Sequence, residues 1–139
     1  MSKNVFEVLE EVAKKRNKAD KVKVLKDNES WALKDILRGT MDSTIQWNLP
    51  GGAPPYTPSE PHNHPASLLR EHKKFKFFVK GLRVSTELSP LKRETMFIGL
   101  IEGVHPKDAE LIIAMVNKEK PVALSRPIVE EAFPGLLQD

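Results

Sequence analysis

The chain has no cysteine and one tyrosine, and only 6% of its 139 residues are aromatic. Without cysteine there are no disulfides and no thiolate metal sites, and nothing argues for secretion. No apolar run approaches the roughly 20 residues that a helix needs to cross a bilayer. The first residues, MSKNVFEVLEEVAKKR, carry acids where a signal peptide would be apolar. These absences predict a cytoplasmic protein with no membrane partner. The glycine-rich phosphate loops GxxxxGK[ST] and GxGxxG are missing, and no serine sits in a nucleophile elbow. No catalytic residue, cofactor or metal is therefore expected.

What is present suits one soluble domain spanning residues 1–139. Hydrophobic residues make up 40% and charged residues 29%, which is ordinary for a globular chain of this length. A net charge of +3 is compatible with a nucleic-acid partner without requiring one.

Helical spacing recurs along the chain. Val5, Val8, Leu9 and Val12 share one face, with Ser2 or Asn4 as the cap. Ala19, Val22 and Leu25 form a second helix after a break at Asn17. Ser30 caps a third over Trp31 to Met41, weakened near its end by Gly39. Leu68, His72, Phe75 and Val79, with Leu69 and Phe78 widening the stripe, predict a helix that stops at Gly81. Ser89-Pro90 opens the next, through Phe97, Ile98 and Ile101 to Val104. His105 stands at the N-terminus of a helix to Val116 that is apolar nearly all round and hence expected to be buried. A short last helix follows Ser125-Arg126-Pro127.

Between these lies NLPGGAPPYTPSEPHNHP, residues 48–65, which prolines and paired glycines keep irregular. The expected fold is all-α, a compact bundle of six to seven short helices with one long proline-rich loop. The expected core comprises Trp31, Leu33, Ile36, Leu37, Phe75, Phe97, Ile98, Ile101, Ile112, Ile113, Val116 and Phe133.

His62 and His64 in PHNHP invite a metal-nuclease reading, but no third or fourth ligand stands nearby in the sequence. His72 lies on an apolar face and reads as a core histidine. The feature above background is basic. Lys73, Lys76, Lys80 and Arg83 are spaced to follow a phosphate backbone, and Lys118, Lys120 and Arg126 surround a helix start at Ser125. The plain alternative is a solvated helix face and a lysine-rich turn.

The segment VFEVLEEVAKKRNKADKVKVLKDNESWALKDILRGTMDSTIQW resembles the start of the α-helical DNA-binding domain in ATP-dependent DNA ligases of T-even-like phages. The C-terminal AELIIAMVNKEKPVALSRPIVEEAFPGLL is similar to that domain's buried helix, basic loop, Ser-containing turn and short final helix. The chain also resembles small proteins of tailed phages of marine bacteria, which share HPKDAELIIA and AFPGLL and bring no activity with them. The ligase resemblance implies a grip on double-stranded DNA around nicks or replication intermediates, through the minor groove and sugar-phosphate backbone. Carried over by position, the matching residues are Lys118, Lys120, Ser125 and Arg126. Where the ligase turn has a glycine before its serine, this chain has Val122-Ala123-Leu124. The Lys-x-Asp-Gly motif of ligase chemistry is absent, so no enzyme is expected. The alternative is a protein–protein adaptor in replication or host takeover that keeps the helical fold and presents the region from Trp47 to Pro65.

Overall fold

The structure, a computed structural model, describes residues 3–139. It contains α1 (Val5–Lys14), α2 (Lys18–Asp27), α3 (Trp31–Met41), α4 (Leu68–Glu71), a 3-10 helix (His72–Phe78), α5 (Arg83–Thr86), α6 (Pro90–Gly103), α7 (Pro106–Val116) and α8 (Arg126–Ala132). No strand occurs among the described residues, only two isolated bridges. The all-α bundle is therefore as expected, with α5 as an extra turn. The cap expected at Ser2 lies outside the described residues.

Local chemistry sets most boundaries. The Asn4 backbone N–H donates to Glu7 Oε1 at 3.0 Å, the return half of a capping box on α1. Asn17 and Ser30 side chains accept from Asp20 and Leu33 N–H groups, at 2.8 and 3.1 Å, where α2 and α3 begin. Ser89 and His105 cap α6 and α7, each followed by a proline that needs no partner for its nitrogen.

Helix α7 is the centre of the bundle, packing on α1, α3 and α6, while α2 joins α1 to α8. Ile112 and Met115 of α7 are buried with Leu33, Ile36 and Leu37 of α3 and Ile101 of α6. Asp108 is buried at the start of α7 and accepts the Phe6 N–H at 3.0 Å, so one carboxylate serves the N-terminal turns of two helices. Burial nevertheless pushes its pKa up to about 6 against that hydrogen bond.

Several expectations need correction. Trp31 is not core: at the first position of α3 its ring projects outward, 67% exposed, with Lys34 Nζ 4.7 Å from its centroid. Ile98, Ile113 and Val116 are half-buried, so α7 is not enclosed all round. The single helix expected from Leu68 to Gly81 is two: after four residues the α-helix tightens into a 3-10 helix. With three residues per turn, its buried row becomes His72, Phe75 and Phe78.

The 48–65 segment is irregular and fastened down. The Thr57 N–H donates to Glu102 Oε2 at 2.8 Å, and Gly52 and Asn117 exchange two hydrogen bonds. Tyr56 packs half-buried against the core.

Candidate nucleic-acid interface

The two basic segments singled out in the sequence differ in what their cations touch. Helix α7 ends in a Schellman turn: Lys118 N–H donates to Met115 O at 3.0 Å and Glu119 N–H to Ala114 O at 2.9 Å. Such a turn places one residue in the left-handed region, usually glycine, and here it is Lys118 with φ +59°. Its ammonium explains the choice. Lys118 Nζ donates to Gly39 O at 2.8 Å and Asp42 O at 2.7 Å, closing the C-terminal end of α3. Burial lowers the pKa of this lysine, although the Asp42 and Asp139 carboxylates pull it the other way.

The rest of that turn is also committed. Lys120 Nζ donates to Leu124 O at 3.1 Å. Arg126 is ion-paired with Asp139, and with Glu130 at 3.2 Å. The Arg126 and Ser43 hydrogen bonds hold the Asp139 carboxyl well below the usual range. Ser125 occupies the cap position of α8 with its hydroxyl making no cap bond, and α8 is only seven residues long.

The 3-10 helix presents the opposite case. Lys73, Lys76 and Lys80 are exposed, and none has a carboxylate within 4.0 Å among the described residues. Lys73 and Lys76 are one 3-10 turn apart, roughly 6 Å along the axis at about 2 Å rise per residue. Lys74 and Arg83, by contrast, are paired with Glu71 and Glu87 at 2.9 and 2.6 Å.

Lys73, Lys76 and Lys80 line a cleft of about 820 Å³ between α3 and the 3-10 helix. Arg38 and His72 also line it. Asp35 bridges them, with Arg38 Nη2 at 2.5 Å from one oxygen and His72 Nδ1 at 2.6 Å from the other. The other lining carboxylate, Asp42, accepts from Thr44 and Gln138; these bonds hold its pKa down against the effect of burial. Both acids in the cleft are thus engaged, and the three lysines are not.

Trp47 completes the cleft and is held rigidly. Its Nε1–H donates to Gly39 O at 3.0 Å, and its ring lies edge-on to Phe75 at 6.2 Å. An antiparallel bridge with Val79 fixes its backbone: Asn48 N–H donates to Phe78 O at 2.6 Å and Lys80 N–H to Gln46 O at 2.7 Å. Gly39 is required by this packing, since a Cβ there would stand 2.6 Å from Trp47 Cζ2 and 2.7 Å from Met115 Sδ.

Of the residues expected from the sequence, the cleft brings together Lys73, Lys76 and Lys80. Arg83, Lys118, Lys120, Ser125 and Arg126 do not line it. Sequence reasoning missed Arg38 and assigned Trp47 only to the adaptor surface. The usable signal for Arg38 was its i,i+3 spacing from Asp35 on the polar side of α3. His62 is exposed, and His64 Nδ1 contacts Ala66 O at 2.9 Å. Among the described residues, no group of three or more His, Asp or Glu side chains is placed to hold a metal ion.

No curated protein and no solved structure matches the chain. Residues 8–121, well over half of its length, match a family of unknown function (DUF6433), and the chain belongs to that family.

Proposed function

We propose that this protein binds double-stranded DNA without sequence preference and without catalysis, through sugar-phosphate contacts. One observation carries the reading: Lys73, Lys76 and Lys80 line one cleft without carboxylate partners, while its two acids are engaged by other groups. Cations in that state release phosphate counterions at little electrostatic cost to the fold. Arg38 lines the same cleft and is ion-paired with Asp35. The likeness to ligase DNA-binding domains supports the same partner, but the surface shifts from the Ser125 turn to the 3-10 helix. Arg83 and Lys120 are left as peripheral charges.

Retention of a mixed-sequence duplex at two salt concentrations tests the reading. Binding should weaken steeply as salt rises and depend little on sequence. Salt-insensitive binding, or none at low salt, would reject it.

A second reading has its own observation. Val122 is fully exposed at the tip of the α7–α8 turn, and Leu91 and Trp31 are 75% and 67% exposed. These side chains stand singly on separate elements, so an adaptor docking on a replication or host protein would use the region from Trp47 to Pro65, where Trp47 and Tyr56 are only half-buried. Failure of DNA binding with retained fold favours this adaptor.

A further inference from the structure

The cleft is only partly cationic. Beyond its lysines it is lined by Ile45, Trp47, Phe75 and Val79, an apolar surface that a duplex backbone of sugars and phosphates leaves uncovered. Its volume of about 820 Å³ is in the range of small-molecule pockets, roughly 300–1,000 Å³. A ligand that matches both kinds of lining carries a phosphate and a flat apolar group on one short unit. An unpaired nucleotide has this chemistry, because its base is free to leave the stack and every base offers a π face. Trp47 is prepared for such a contact: its indole N–H is already bonded to Gly39 and its backbone is bridged to Val79. Little side-chain order remains to be lost on binding.

We propose that the cleft takes one unpaired nucleotide from a single-stranded tail adjoining duplex DNA, its base against Trp47, while Lys73, Lys76 and Lys80 follow the neighbouring backbone phosphates. This rests on the DNA-binding reading and names the structure it prefers, a junction between single and double strand.

The chain has two tryptophans, and Trp31 does not line the cleft, so Trp31→Phe leaves Trp47 as the only indole reporter. The probes are a blunt duplex, the same duplex with a short thymidine tail, and poly-glutamate as an acidic peptide. The tailed duplex should bind about tenfold more tightly than the blunt one, within what stacking one base contributes, and should quench Trp47 emission. The blunt duplex should bind without quenching. Equal affinity for both duplexes with unchanged emission would overturn the inference and leave duplex binding in place. Binding to neither would overturn both. Quenching by poly-glutamate but not by the tailed duplex would overturn the nucleotide in favour of an acidic peptide.

Discussion

The 3-10 helix His72–Phe78 and the turn from Asn117 to Arg126 are both rich in lysine, and the fold uses them in opposite ways. In the turn, Lys118 closes α3, Lys120 closes its own loop and Arg126 pairs with Asp139. In the 3-10 helix, the row His72, Phe75, Phe78 packs inward and leaves Lys73 and Lys76 facing solvent without acids. A cation's availability depends on which unmet acceptors lie within reach, and the last carbonyls of a helix are strong competitors. Charge in the sequence is therefore a poor guide to charge on offer. Removing cations from the turn should injure the fold, and removing them from the 3-10 helix should leave it intact.

The largest effect is expected beneath the turn. Helix α7 carries the turn at its end and Ile112, fully buried, in its middle. Ile112→Ala should destabilise the protein by about 2–5 kcal/mol in chemical denaturation. An unchanged midpoint would mean that α7 does not hold the turn in place through the core.

Helix α7 also begins with a titratable group that sharpens the contrast. The folded pKa of Asp108 is raised to about 6 from an ordinary 3.8, so the fold favours its protonated form. Its contribution is best below pH 4 and is lost as pH rises from about 4 to 6, by roughly 3 kcal/mol for a shift of about two units. Asp108→Asn keeps an oxygen for the Phe6 N–H and removes that titration. It should stabilise the protein above pH 6 and have little effect near pH 4, read as the difference between the two denaturation-versus-pH curves. A variant weaker than wild type at pH 7 would show that the ionised carboxylate is the better partner for the two helix N-termini.

Lys118 tests the turn itself. Lys118→Ala removes two charge-assisted hydrogen bonds, yet Gly39 O keeps Trp47 Nε1 and Asp42 O keeps the Ile45 N–H at 3.1 Å. The retained partners limit the loss to about 2 kcal/mol. Lys118→Gly loses the same bonds but relieves the left-handed backbone, and should be more stable than the alanine variant by about 1 kcal/mol. If glycine instead exceeded wild type by the whole of that relief, about 1 kcal/mol, the ammonium would have no structural role.

Much of the scaffold was legible because caps are local. Asn17, Ser30, Ser89 and His105 each act within three residues of their own position, and each marks a helix start. The 3-10 helix was not legible, because over seven residues periods of 3.0 and 3.6 share His72 and Phe75, and an apolar stripe that holds both Phe78 and Val79 fits either. Trp31 misled because helical spacing does not distinguish a first-turn side chain that overhangs the helix end. The candidate cleft was half legible: its lysines form a run, while Arg38 and Trp47 join them only through tertiary packing. The role of Lys118 was hidden for the same reason, since its acceptor Gly39 lies 79 residues away.

The smallest effect on stability is expected on the 3-10 helix, and there it separates the two regions most cleanly. Lys73 and Lys76 are exposed and make no ion pair among the described residues, though Lys76 Nζ lies 5.4 Å from the Phe77 ring centroid. Lys73→Ala/Lys76→Ala should therefore leave stability within about 0.5 kcal/mol of wild type. If DNA binds here, the same variant should lower the log–log salt dependence of affinity by roughly two units, one for each phosphate contact, on any duplex sequence. The paired comparison is Lys120→Ala/Arg126→Ala. That variant loses the Leu124 and Asp139 contacts, so any loss of affinity should accompany a loss of stability and should leave the salt slope nearly unchanged. A steep fall in salt slope for the turn variant, with none for the 3-10 variant, would move the interface back to the turn and reject the cleft.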